Sequence, residues 1–537
     1  MALCIPANSS LNNLMKKTIS IAAALALHIV GFAQCDTTTV SGNLVISAPQ
    51  FLSGTIIVNG TFHIQPGVTV YVEPYSFGSC GKLEVQAQNI IIEGTIDGNF
   101  AGYTGGTAGA GGLTVNSLTG DQAGLTGCSN KDNSGQITVE GGGGGTTGNG
   151  SGGGLSGQNG TSGSGPKQQC QNNGDEAGLI GSGGGAGGGG GGSYGGTGTQ
   201  AGNGGDGSDY YVTNSLAVSP AFVVIKGIGG TGGMNGATYG TQSGVDIDAG
   251  SGGAGSGGGG RSYSQGLQGS IGGAGGGMIL LVATDTLIVS AGAVLTVNGE
   301  TGGVGGIGGD GGASTKCCSD GCDDCGEVTL SCGSGGGSGA GGGSGGGILL
   351  MTNGYSSIGG TFNAKGGNGG AGGNAGQGSN CTYTNTFCTD NSLNSGSGNG
   401  GNSGGAGGGG RIKIFIAQDC GSVSAVMNAS GGSGANGTGA TGTTDVICTL
   451  VIEEQMEPSL SIYPNPVTSE MTLAFDGAFI DEALVIITDV SGRIVFQENR
   501  TPSGNRIVID TQSFTPGLYF CTIQSEKFTG TANFIRQ

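Results

Sequence analysis

Residues 272–313 read GGAGGG-MILLVATDTLIVSAGAVLTVNGET-GGVGGIGGDGGA, an apolar block set between two kinds of glycine run. The block is rich in Leu, Ile, Val and Thr and is broken by small turn residues, so it reads as short β-strands. The run after Thr301 has a period of three, GGV GGI GGD GGA, with two glycines in each triplet. A three-residue period fits a polyproline-II-type helix, which has three residues per turn and no internal hydrogen bonds. Its amides must find partners elsewhere. Two bare faces allow neighbouring helices to approach and bond laterally, and the third residue of each triplet is left pointing outward.

The unit recurs. GGGSGGG precedes Ile348-Leu-Leu-Met, and GGAGGGG precedes Arg411-Ile-Lys-Ile-Phe-Ile. The three blocks start at 278, 348 and 411, which are 70 and 63 residues apart. Weaker copies lie at 82–99 and 222–226, and triplets follow Ile228, Lys365 and Ser430. Self-similarity of this kind marks a stacked architecture. Upstream, residues 34–100 are already strand-rich: NLVIS, TIIVNGTFHI, VTVYVE, KLEVQAQ and NIIIEGTIDG are separated by Gly or Pro. The expected fold is all-β: a stacked, parallel β-helix-like passenger with polyglycine-II-type excursions over residues 101–448.

Composition excludes several alternatives. Glycine supplies 131 of 537 residues, but only 11 prolines are present, too few for collagen. The formal charge of −19 repels phosphate backbones, so no nucleic-acid partner is expected.

From Met15 the chain reads MKKTISIAAALALHIVGFAQC. Lys16 and Lys17, a short apolar run and the small residues Gly31 and Ala33 form the pattern of a secretory signal peptide over residues 1–33, with Met15 as its start. Gln34 before Cys35 argues against a lipid anchor. No later stretch reaches the ~20 apolar residues of a spanning helix, so no transmembrane helix is expected. The 15 cysteines fit an oxidising compartment, and thirteen of them run from Cys35 to Cys448. The densest group, KCCSDGCDDCGEVTLSC, holds Cys317, Cys318, Cys322, Cys325 and Cys332. With Cys381 and Cys388 these are the disulfide candidates, preferred over zinc or redox roles because the chain is exported.

Glycine runs stop at a linker over 449–458. Beyond it, residues 460–463, 471–475, 483–489, 493–496, 507–510, 518–524 and 529–535 read as short strands between PNP, SG, SGN and TPG turns, the layout of a small β-sandwich. The order SLSIYPNPVTSEMTL, ITDVSGRIV, FTPGLYFCTI and FTGTANFIRQ resembles the C-terminal sorting domain (type A) of the bacterial type IX secretion system, over residues 459–537. The motif positions are Tyr463, Pro464, Asn465 and Pro466, then Asp489, Gly492 and Arg493, then Gly517 and Tyr519. The resemblance implies passage through the periplasm, handling by the type IX machinery, and release or attachment to surface lipopolysaccharide. From the residues themselves, the prolines set an extended approach to the domain, and Gly492 and Gly517 permit tight turns.

Chemistry is sparse. GTIDGN at 94–99, DDC at 323–325 and RIK at 411–413 echo fragments of the polygalacturonase family. That family's Asn-Thr-Asp and Gly-His-Gly segments are missing, and His63 is the one histidine after the signal. Nothing fixes the positioned carboxylate pair that glycoside hydrolysis requires. GGDGSDYYV at 204–212 fits a single calcium-type nonapeptide, where tandem copies are needed; calcium is the one cofactor the sequence raises, and none is otherwise expected. GGGGSYGG around Tyr194 repeats in GGGGRSYSQ around Tyr263, and both tyrosines read as plugs in the stack. The expectation is a non-enzymatic surface or secreted structural protein, adhesin-like, that meets extracellular polysaccharide or lipopolysaccharide. The rivals are a carbohydrate-active enzyme and an ice- or surface-binding protein.

Overall fold

The computed structural model describes residues 36–537 apart from 76–79, 117–130, 171–175, 181, 210, 214–224, 312, 316–327, 379, 386–387, 418–421, 449–459, 476–482, 503–505 and 525–528. The signal segment, the linker and Cys317, Cys318, Cys322 and Cys325 therefore lie outside the described residues. The described chain is all-β, with no α-helix. It divides into two compact units, one up to Thr449 and one from Leu450.

The first unit is built on two parallel sheets. One runs Thr37–Val40, Gly54–Ile64, Lys82–Ile92, Met278–Val289, Gly347–Thr352, Arg411–Ile416, Thr443–Cys448, with Leu44–Ile46 and Tyr355–Ile358 added at its side. The other runs Gln50–Leu52, Thr69–Val72, Thr95–Asp97, Val294–Thr296, Thr361–Asn363, Val426–Asn428. Inward residues at alternate positions form in-register rows, as period-two strands require. Leu83, Ile279, Ile348 and Ile412 make one such row, and Ile96, Leu295 and Phe362 face it from the second sheet; all are fully buried in a single core. Each such side chain contributes about 1.5–3 kcal/mol.

The pairing corrects the block starts read from the sequence. Met278 lies opposite Gly347 and Lys82, and Gly347 lies opposite Arg411. Starting the middle block at Ile348 would slip it by one residue and turn its core row to the outside. The weak copy at 222–226 is not a described rung of this stack: Ile225 makes an isolated antiparallel bridge to Ser164.

The glycine segments pack laterally through their backbones. Residues 299–311 donate to residues 365–377 at every third position: Gly299 to Lys365, Gly302 to Asn368, Gly305 to Ala371, Gly308 to Asn374 and Gly311 to Gln377, all at 2.8–2.9 Å. Residues 333–346 are bonded on all sides, to segments around Ala254, Gly303, Gly370, Asn402 and Gly189. This segment contains only Gly, Ser and Ala, because no larger side chain has anywhere to go. Segments with a large third residue, such as Val304 and Ile307, lie at the surface and expose it. At that surface the outward amide lacks a lattice partner, and an Asn or Asp of the neighbouring segment supplies one. Asn298 Oδ1 accepts from Lys365 N (2.8 Å), Asn368 Oδ1 from Ser433 N (2.9 Å) and Asp310 Oδ1 from Gln377 N (2.7 Å).

Antiparallel strands are inserted between the glycine segments. They include Gly163–Cys170 between Lys131–Val139 and Glu176–Ile180, and Cys388–Ser395 between Tyr211–Thr213 and Asn380–Asn385.

Among its described residues the second unit has seven strands. Leu460–Tyr463, Glu470–Phe475 and Arg506–Asp510 form one antiparallel sheet; Ile494–Arg500, Ala483–Asp489, Gly517–Gln524 and Thr529–Arg536 form another. Met471, Leu473 and Ile509 from the first share one buried core with Val485, Ile487, Ile523 and Phe534 from the second.

Candidate functional site

The second parallel sheet turns its outward residues into rows. Phe51, Tyr71, Asp97, Thr296, Asn363 and Asn428 stand opposite one another on successive strands, and of these Thr296 is buried. A neighbouring row holds Thr69, Thr95, Val294, Thr361 and Val426. Phe51 and Tyr71 are paired rings, 5.3 Å between centroids, and both remain exposed. Phe100 is exposed as well, and its φ of 60° makes it the one non-glycine residue in left-handed conformation among the described residues. Asp97 Oδ1 accepts from Asn99 N at 2.9 Å, and Asn99 Oδ1 in turn accepts from Thr296 Oγ1 (2.7 Å) and Asn298 N (2.8 Å). Asp97 is thus part of a polar ladder. Its direct neighbours along the row are Tyr71 and Thr296, while Asp323 and Asp324 lie outside the described residues.

The RIK segment has a clear local role. Arg411–Ile416 is a strand buried on both faces. Its core-facing isoleucines alternate with Arg411, Lys413 and Phe415, which are covered from outside. The fully buried Lys413 amine donates to the carbonyls of Gly244 and Asp246, both at 2.7 Å, and lies 3.3 Å from the Asp246 carboxylate. Burial pushes the Lys413 pKa down, against the pull of Asp246. For Asp246 itself, burial is outweighed by hydrogen bonds from the Thr241 side chain and backbone and from Lys413, which hold it at about 2. Arg411 donates to the carbonyls of Tyr239 (2.8 Å) and Gly240 (3.1 Å), and its guanidinium sits 5.3 Å over the Tyr194 ring. Together these contacts strap residues 239–248 onto the sheet.

Tyr194 is buried, packs 4.8 Å from Tyr239, and accepts from Asp248 N at 2.8 Å. Tyr263, in the sister sequence, is exposed, so the expectation that both tyrosines plug the stack fails for this copy. The same local sequence ends up inside or outside according to what packs over it.

In the calcium-type segment, Asp206 Oδ1 accepts from Gly229 N at 2.8 Å and Oδ2 lies 3.7 Å from Lys226 Nζ, so this carboxylate serves the lattice. Among the cysteines, Cys80 and Cys448 are disulfide-bonded, two positions the dense-cluster reasoning passed over. Cys332 is buried and its carbonyl accepts from Ser262 Oγ. Cys381 and Cys388 lie in adjacent antiparallel strands.

In the second unit the motif residues build two junctions. Asp489 Oδ1 accepts from the Ser491 hydroxyl and amide and from Arg493 N, while Oδ2 meets Arg493 Nε at 3.0 Å. These bonds, the Ser491 hydroxyl first, hold the Asp489 carboxyl at about 2. Gly492, at φ 81°, supplies the left-handed turn position. Asn465 follows the cis Tyr463–Pro464 bond and precedes the cis Asn465–Pro466 bond. Its Oδ1 accepts from Ile535 N at 3.0 Å, tying the first motif to the last strand, and Val467 N donates to Ile535 O at 2.7 Å. Tyr519 is buried between Phe514 and Phe534 and its hydroxyl donates to Thr515 O at 2.7 Å. Gly517 differs from its expected turn role: it opens the strand Gly517–Gln524 without a left-handed φ. Its bare Cα faces the edge of the Tyr519 ring instead.

Residues 461–537 match the family described as the secretion system C-terminal sorting domain. The tail is a type IX sorting domain. It addresses the chain to the cell surface or the medium and engages the type IX machinery. The sorting domain covers the second unit only. No curated protein matches the chain. Among the described residues, no helix is long and apolar enough to cross a membrane.

Proposed function

We propose that the passenger is a non-enzymatic, adhesin-like structural module of the cell surface. In this reading a β-helix-like stack serves as the base for a bundle of polyglycine-II-type helices. The observation that carries it is the lateral hydrogen bonding repeated at every third residue of the glycine segments. That bonding consumes the backbone polar groups, closes the interior to ligands and leaves only flat outer faces for contact. The carbohydrate-active alternative needs a second carboxylate positioned against Asp97.

The test is a deletion strain scored for attachment and surface integrity, alongside fractionation of cells whose chain lacks residues 459–537. Loss of attachment with unchanged extracellular hydrolase activity supports the structural role. Release of reducing sugars by the full chain, abolished by Asp97→Asn, would replace it with the enzyme. Removing 459–537 is expected to strand the passenger in the periplasm.

A further inference from the structure

We propose that the outer face of the second parallel sheet is a binding strip for a neutral, extended polysaccharide. The proposal deepens the surface-module reading by naming the ligand class and the residues that take it. The row Phe51, Tyr71, Asp97, Thr296, Asn363, Asn428 crosses six strands in strict register, with Thr296 buried at its middle and bonded to Asn99. At about 4.8 Å per strand it is about 24 Å long, room for several sugar rings laid across the strands.

Its two ends differ in a way that suits a sugar chain. One end carries the exposed rings Phe51 (56%) and Tyr71 (37%), 5.3 Å apart and tilted by 33°. Three and four rungs beyond Tyr71 stand the amides of Asn363 and Asn428, donors and acceptors for hydroxyl groups. Aromatic faces take the apolar C–H side of a sugar, and amides take its hydroxyls.

Phe100 is the independent observation. It lies three residues beyond Asp97, is 46% exposed, and holds φ at 60°. A bulky side chain is strained in this region, and Gly or Asn would fill the position with less strain. The fold gains little from an aromatic ring that stays half in water, so its presence points to a partner that covers it.

Charge selects the class. Asp97 is the one charged residue of the row, and Glu73, engaged by Ser53 Oγ at 2.9 Å, adds a second carboxylate just past the strand that carries Tyr71, so the row offers no cationic group to an anionic chain. The chain as a whole carries −19 and disfavours uronate-rich or phosphorylated glycans.

The test is depletion of the full chain from solution by microcrystalline cellulose and by insoluble chitin, with polygalacturonate as the anionic competitor and reducing-sugar release followed in the same tubes. Retention on at least one neutral polymer is expected, without competition by polygalacturonate. The Phe51→Ala/Tyr71→Ala double variant should bind at least tenfold more weakly, and Leu267→Ala, on an exposed glycine segment elsewhere, should bind as the parent does. Phe100→Gly should lose binding while its thermal midpoint does not fall, a combination that a purely structural role for the ring does not produce. No retention on either neutral polymer, preferential competition by polygalacturonate, or full retention of the aromatic variants would each overturn the proposal. Sugar release would count against the non-enzymatic reading alone and leave the strip standing.

Discussion

Gly400 and Gly401 are adjacent in one glycine segment, and the lattice gives them opposite tolerances. A Cβ on Gly400 would meet its nearest atom, Gly373 O, at 3.4 Å, an ordinary contact. A Cβ on Gly401 would meet Gly337 O at 2.2 Å and Gly337 C at 2.4 Å. Restoring 3.4 Å means separating the two segments by about 1.2 Å, the difference between these two approaches. The bonds Gly336 N to Asn399 O (3.0 Å) and Gly339 N to Asn402 O (2.9 Å) join these same segments and would be stretched beyond hydrogen-bond range. Two lost bonds at about 1 kcal/mol each, with the desolvation of the buried groups left behind, put the loss near 3–6 kcal/mol. The reduced freedom of the unfolded chain returns about 0.4–1 kcal/mol in both variants. Gly401→Ala should therefore destabilise the passenger by about 2–5 kcal/mol, and Gly400→Ala should be neutral or slightly stabilising. Denaturant unfolding of the full chain, followed by far-UV circular dichroism, measures both. Equal midpoints for the two variants would refute the lattice reasoning, and so would a larger loss at Gly400.

Three further expectations rest on single groups. Asp489, held at about 2 by the Ser491 and Arg493 bonds, has a folded value below its unfolded ~3.9. Its contribution is present above the unfolded value and is lost as pH falls from about 4 towards 2. Asp489→Asn should flatten the acid limb of the sorting domain's unfolding profile, and an unchanged limb would count against the turn network. Burial pushes the Cys521 thiol up to about 12, so it should stay unlabelled by maleimide at pH 8 until the domain unfolds, as read by peptide mass spectrometry. The same sign predicts that its contribution is complete below the unfolded ~8.5 and disappears as pH rises towards 12. Lys413→Met leaves the Gly244 and Asp246 carbonyls without their buried donor, which should cost about 1–3 kcal/mol and expose residues 239–248 to limited proteolysis. An unchanged cleavage pattern would show that the strap is held by something else.

Much of this was legible in the residues. The tail's strands were readable because Pro464, Pro466 and Gly492 punctuate alternating segments, and local turn chemistry survives in any context. The triplets announced outward third residues, and Val304, Ile307 and Met234 do point to solvent. The rung register was not legible: Ile348 looked equivalent to Met278, yet the core row requires Ile279 opposite Ile348. Nor did the sequence single out Phe51, Tyr71 and Phe100, since a row is a property of strands stacked from distant parts of the chain.

Sequence alone determined the address, through motifs whose bonds close within one small domain, and the all-β character, through short β-branched blocks broken by turn residues. Tertiary structure decided which glycine segment lies inside and which outside, that Tyr194 is buried while Tyr263 is not, and that Arg411 and Lys413 fasten residues 239–248. The reason is that a polyglycine segment carries almost no side-chain information of its own. Its partners are backbone groups on other segments, and which of them it meets is settled only when the whole stack closes.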